Sequence, residues 1–203
     1  MAKITNTGVF IVEGSAAAAD VVGSSQIWTK SDTPSSLYHT DDAGTDYRIN
    51  GITVGTEVAH GGGATRTLTD IPSGVKNVIV MIEQLSSNGT DDYILQIGPS
   101  GGVETSGYDC DAGSMGNSYT NSTAGFLLMQ TTVAASLYNG TYHLYLFNSS
   151  DNQWGFSGGC STNNDAFVTH GQKSISGALN KISITTTGGS NVFDSGAVNI
   201  QFQ

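Results

Sequence analysis

The chain has a formal net charge of -10, with 7 Lys and Arg against 17 Asp and Glu, and its 203 residues are enough for one substantial domain plus a smaller attachment region, or for two small domains. Gly, Ser, Thr and Asn make up more than two fifths of it and only 12% is charged; those four residue types are poor helix formers, so the composition argues against a helical protein. Three basic against seven acidic residues up to position 59, and four against ten beyond it, leave no cationic face for nucleic acid or an anionic membrane.

The N-terminal stretch TNTGVFIVEGSAAAAD is broken by Asn6, Thr7, Glu13 and Gly14. No signal peptide is read there, and no run in the chain approaches the roughly 18 apolar residues of a membrane span. Ala16 to Val22 favours helix but covers under two turns, too few to persist alone. From Gln26 the chain reads as a β-meander. QIWT precedes the turn-rich KSDTPSS, and Leu37 to Thr40 pairs with Thr45 to Ile49 across Asp41, Asp42, Ala43 and Gly44, where Gly44 supplies a positive φ. This unit is too small for its own core. Its apolar side, with Ile27 or Trp28, Leu37 or Tyr38, and Tyr47 or Ile49, is expected to pack on a partner.

Residues 50–69, containing Gly61, Gly62 and Gly63, read as a linker. Nine strands follow, at Thr65–Leu68, Val75–Leu85, Tyr93–Ile97, Phe126–Met129, Tyr142–Phe147, Gln153–Phe156, Ala166–Thr169, Ile182–Thr187 and Ala197–Phe202. Short strands with near-regular turns predict an antiparallel β-sandwich, jelly-roll-like. The fold class is therefore all-β, a short N-terminal meander over residues 1–60 followed by a sandwich over residues 64–203. Gly98 to Ala124, rich in Gly and Ser, is too long for a hairpin loop and reads as a binding surface.

Several chemical motifs are matched by simpler readings. G-x-S-x-G occurs around Ser100 and Ser157, the second followed by Asp165 and His170. A nucleophile elbow needs a helix after the serine, and CSTNND is a turn sequence. Glu83, Glu104, Asp109 and Asp111 offer carboxylates for glycoside chemistry, but no spacing sets two across one cleft. Asp41, Asp42 and Asp46 lack calcium-loop spacing and read as a hairpin turn. The histidines are too dispersed for a zinc site, so no metal or other cofactor is expected. Cys110 and Cys160 are expected as free thiols; bonded, they would close a loop worth about 4 kcal/mol. The sequons at Asn88, Asn121, Asn139 and Asn148 follow from composition. Trp154 reads either as a sugar-stacking ring or as the edge of a core.

Two segments carry a resemblance. QIWTKSDTPSSLYHTDDAGTDYRI is similar to a module of phage structural proteins in which a glycine-rich lead precedes Q-x-W-V-K and T-P-x-x-L-Y-F-T-D-D-A-G-T-D. Gln26, Trp28, Lys30, Thr33, Pro34, Leu37, Tyr38, Thr40 to Asp46 match it, whereas Thr29 and His39 depart from Val and Phe. IPSGVKNVIVMIEQLSSNGTDDYILQIG, STAGFLL and TGGSNVFDSGAVNIQF resemble the distal domain of phage fibre-like proteins. The resemblance implies a non-enzymatic virion protein assembled in the host cytoplasm, a homotrimeric tail fibre whose distal lobe meets the host surface. It places attachment to other virion proteins and trimerisation in residues 1–60, with Ile27, Trp28, Leu37, Tyr38, Tyr47 and Ile49. The expected ligand is a host-surface glycan at Tyr108, Tyr119, Trp154, Asn163 and Asn164, with neither nucleic acid nor membrane insertion involved. The alternatives are a capsid decoration or head-fibre protein and, from another class, a glycan-degrading enzyme.

Overall fold

The computed structural model describes the chain except residues 1–2, 6–7, 11–12, 15–23, 32–35, 42–43, 45, 50, 60, 115–118 and 131–132. The described residues contain no helix. They fall into two compact units, Met1–Ile52 and Thr53–Gln203.

The first unit holds β1 (Lys3–Thr5), β2 (Gly8–Phe10), β3 (Glu13–Gly14), β4 (Gln26–Lys30), β5 (Ser36–Thr40) and β6 (Asp46–Arg48). β1 and β2 form a hairpin, β3 runs parallel to β4, and β4, β5 and β6 form the expected antiparallel meander. Thr40 lies opposite Asp46, and the turn closes through Gly44 N–H donating to the Asp41 carbonyl at 3.2 Å, with Gly44 at φ 81°. Register settles which residues share a face. Trp28 sits directly opposite Tyr38, and their rings stack with centroids 5.1 Å apart. The indole Nε1 donates to Thr40 Oγ1 (2.8 Å), which donates to Asp46 Oδ1 (2.5 Å), and the Lys30 ammonium lies 5.8 Å from the Tyr38 ring centre. Ile27, opposite His39, belongs to the other face and is 59% exposed. Leu37 and Ile49 are half-buried and joined by the Ile49 N–H on the Leu37 carbonyl, whereas the Tyr47 side chain lies outside the described residues.

The second unit is an all-β sandwich built from β7 (Thr53–Val54), β8 (Val58–Ala59), β9 (Arg66–Leu68), β10 (Asn77–Ser87), β11 (Tyr93–Gly98), β12 (Asp109–Ser114), β13 (Tyr119–Ser122), β14 (Phe126–Leu127), β15 (Tyr138–Asn148), β16 (Gln153–Ser161), β17 (Ala166–Ser174), β18 (Lys181–Thr186) and β19 (Phe193–Phe202). The larger sheet has the order β13-β12-β17-β16-β15-β10-β19-β7, with β8 also on β19, and the smaller has the order β14-β11-β18-β9. Every pairing is antiparallel and many neighbours are distant in sequence, the jelly-roll-like wiring expected. Between the sheets runs an aromatic spine: Phe156 stacks on Phe126 at 4.4 Å and on Tyr142 at 5.6 Å, and Tyr93 meets Tyr138 and Phe193 edge-on. Such pairs add to the burial of large apolar side chains.

Two expectations change here. From Thr53 onward the stretch read as a linker is built into the sandwich over its described residues: β7 and β8 pair with β19, and Gly62 and Gly63 bond to Phe193. The Arg66 guanidinium also gathers the carbonyls of Ala59, Gly61 and Thr65. Glycine freedom at positions 61 to 63 is spent on following the sheet edge, because unpaired backbone groups there find partners on β19. The division therefore falls between Ile52 and Thr53 rather than near residue 60. The supposed loop Gly98 to Ala124 contains β12 and β13, which extend the large sheet beyond β17. Within DCDAGS, Cys110, Ala112 and Ser114 are buried while Asp109 and Asp111 face solvent, a period-two pattern written in side chains too small to register as hydrophobic.

Candidate functional site

The outer face of the large sheet carries the most chemically featured surface of the described residues. Strand alternation sends Tyr142, Leu144, Trp154, Phe156, Phe167 and Lys173 inward and their odd or even neighbours outward. Register then aligns two rows across β15, β16, β17 and β12. One row runs Tyr145, Gly155, Gln172, Asp109, and the next runs His143, Ser157, His170, Asp111. Gly155 has no side chain, so the first row dips, and the Tyr145 ring lies across the gap where a Cβ would otherwise stand. The result is a shallow groove of about 340 Å³ bounded by Tyr145 and Phe147 on one side and by Asp109, Asp111 and His170 on the other.

Tyr145 is 41% and Phe147 74% exposed, unusual for aromatic rings on a sheet that already buries a full inner face. Gln153 Nε2 donates to Gln172 Oε1 at 3.1 Å, and Gln172 Nε2 donates to Asp109 Oδ2 at 3.1 Å. Neither Lys nor Arg lines the groove. The nearest lysine in sequence, Lys173, points into the sandwich, where its ammonium pairs with Glu104 at 2.6 Å and lies 5.5 Å from the Tyr108 ring centre. Burial alone would raise the Glu104 carboxyl, but Lys173 and the Ser176 N–H outweigh it and hold the group below its usual value.

The residues expected to bind receptor are dispersed. Tyr108 is in the core, 3% exposed, with its hydroxyl accepting from Ile97 N–H (2.8 Å) and facing the carbonyls of Ile97 and Glu104; desolvation pushes its pKa upward. Trp154 is also a core residue at 2% exposed, its indole N–H buried without a partner. Burial of both rings overturns a surface stacking role: Tyr108, directly before β12, and Trp154, on β16, both turn toward the inside of the sandwich, although Trp154 as a position also lines the groove. Tyr119 is 77% exposed on the edge strand β13, opposite Gly113, outside the groove. Asn163 and Asn164 lie in the β16–β17 turn, which Thr162 Oγ1 caps by accepting from Asn164 and Asp165 N–H at 3.2 Å each.

Those two asparagines do line a second depression, of about 370 Å³, with Gln84, Leu137 and Asn139. Gln84 and Ala135, which also line it, have φ of 48° and 63°; left-handed backbone at non-glycine residues is costly and needs support. At Gln84 it comes from Asn139 Oδ1, which accepts the Gln84 N–H at 2.9 Å where β10 bulges between Ile82 and Leu85, and at Ala135 from its N–H on the Ser87 carbonyl at 3.2 Å. The depression lies at the far end of β15 from Tyr145, about 20 Å along the strand.

The serine-hydrolase pattern is not assembled. Ser157 sits in mid-strand opposite His170, while Asp165 occupies the turn and accepts from Ala166 N–H. No hydrogen bond joins Ser157, His170 and Asp111 among the described residues. Cys110 and Cys160 are both free and buried, opposite Gly171 and Phe167. Those partners are four positions apart on β17, about 13 Å along the strand, and the two cysteines lie on strands that flank β17 on opposite sides, beyond disulfide reach. Among the described residues no three His, Cys, Asp or Glu side chains are grouped to hold a metal ion.

The sequence reading missed Tyr145, Phe147, Gln153, Gln172 and His170 as site residues. The signal was present in YHLYLF, whose two alternating sets, Tyr-Leu-Leu and His-Tyr-Phe, are both rich in rings or aliphatics; only one set fits inside. Comparison of the chain with protein-family models, with curated proteins and with solved structures gives no match.

Proposed function

We propose that this chain is a non-enzymatic phage virion protein of the fibre type, a homotrimer that attaches to the virion through its first unit and binds a host-surface glycan on the outer face of its sandwich. The observation that carries the glycan reading is the groove between Tyr145 and Asp109. Sugars present apolar ring faces and dense hydroxyls, and such ligands are held by exposed aromatic faces beside fixed planar hydrogen-bonding groups. Tyr145 and Phe147 supply the faces, and the Gln153–Gln172–Asp109 chain supplies polar groups already locked in place. The virion reading draws its support from the N-terminal resemblance through Trp28, Tyr38 and the Thr40 to Asp46 turn. Weak binding at each groove is offset by avidity when three lobes engage one surface.

Light scattering on the full chain tests the assembly: a mass of about three times 21.0 kDa is expected, and a monomer would move the decoration-protein alternative ahead. Retention on immobilised glycans tests the site. Tyr145→Ala should abolish retention while Tyr119→Ala leaves it unchanged; equal retention of Tyr145→Ala and the parent chain refutes the groove assignment.

A further inference from the structure

Resting on the glycan reading of the groove, we infer that it selects uncharged glycans and rejects those bearing carboxylates or sulfates. Asp109 sets the order of the hydrogen-bond chain. An ionised carboxylate only accepts hydrogen bonds, so the Gln172 amide must turn its NH₂ toward Asp109. That leaves Gln172 Oε1 facing Gln153, which must then present its own NH₂ to it. One carboxylate thus fixes the orientation of two amides that would otherwise be free to flip, and Gln153 is left with Oε1 directed away from the chain.

The unfilled capacity of the groove follows. Asp109 keeps one oxygen, Asp111 keeps two and Gln153 keeps its carbonyl, each able to accept twice, against one remaining N–H on each glutamine amide, the Tyr145 hydroxyl and the His170 ring N–H. Acceptors are in surplus, and a ligand that answers them is a donor, such as the hydroxyls of an unmodified sugar. The Tyr145 ring over Gly155 receives the ring's apolar face. A carboxylate or sulfate on the ligand would meet Asp109 and Asp111 with no lysine or arginine lining the groove to compensate, a like-charge contact weakened by solvent but not removed.

The test uses the full chain and matched polymers: dextran, mannan and galactan, each compared with its carboxymethylated form, by retention and titration. The expected result is binding to a neutral polymer with about tenfold or greater weakening on carboxymethylation, a gap that narrows as salt is raised. In the double variant Asp109→Asn, Asp111→Asn the gap should close to within about twofold, with an unchanged urea midpoint showing that the sheet is intact. Equal or tighter binding of the carboxymethylated polymers, still abolished by Tyr145→Ala, overturns this inference and leaves the glycan reading standing. Retention on none of the six polymers overturns both.

Discussion

Removal of one oxygen from Tyr108 tests how the smaller sheet ends. β14 pairs with β11 only at Ile94 and Leu95, so the next backbone group on that edge, Ile97, has no strand beside it. The Tyr108 hydroxyl takes the place of the missing strand, accepting Ile97 N–H at 2.8 Å and lying 2.8 Å from the Glu104 carbonyl. Tyr108→Phe keeps the ring, and with it the edge-on contact with Phe126 at 4.9 Å, but leaves a buried N–H without an acceptor. An orphaned buried donor costs about 1–3 kcal/mol and the lost carbonyl contact about 1 kcal/mol more, giving about 3 kcal/mol in all. For a unit of this size the midpoint temperature should fall by roughly 6–12 °C. Urea unfolding followed by tryptophan fluorescence reads the free energy directly. Tyr119→Phe, on an exposed ring, should stay within about 0.5 kcal/mol of the parent. If Tyr108→Phe does the same, the hydroxyl is not satisfying Ile97, and the account of this edge is wrong.

Other outcomes follow from the same geometry. Trp154→Ala should cost about 3–5 kcal/mol by opening a core cavity, so its effect on glycan retention should track loss of fold; a stable, non-binding variant would contradict the inward placement. Gly155→Ala should push the Tyr145 ring off the sheet, since the new methyl meets the movable end of that side chain rather than backbone; retention should fall with the urea midpoint little changed, and undiminished binding would refute the platform role. Burial raises the Cys160 thiol from 9.0 to about 11 and raises Cys110 from the same value. Between pH 9 and about 11 the folded chain therefore holds protons that the unfolded chain has released, and stability should drop as pH rises. In Cys110→Ala, Cys160→Ala the onset should move up to about pH 10, where tyrosines take over; an onset unmoved in a pH series of urea midpoints would show that the thiols are not the cause. At the acid end the depressed Glu104 carboxyl stabilises the fold above its unfolded value and loses that contribution as pH falls through the folded one, so Glu104→Gln should flatten the acid limb of the same series.

Composition and strand periodicity were enough to read the fold class and most of the strands. Period-two runs such as those in β15 and β18, and the continuous apolar centre of β10, set between glycine- and asparagine-rich turns, leave a chain of this composition no way to bury its apolar residues except as stacked antiparallel sheets. The Asp41 to Gly44 turn was legible for the same reason, because turn chemistry is local. Which side of each strand faces inward follows only from the packing of the two sheets. Tyr108 looked like a surface ring and Trp154 read equally as a sugar-stacking ring or the edge of a core, because their neighbours are small and polar; packing puts both in the core and turns Tyr145 and Phe147 outward. The site was illegible because it is made across strands: Asp109, Gly155, Gln172 and Tyr145 are separated by up to 63 positions and meet only through hydrogen-bond register. Likewise the glycines at 61 to 63 permit a hinge in isolation, and it is the edge of β19, arriving from more than a hundred residues away, that ties Gly62 and Gly63 to the sandwich through Phe193.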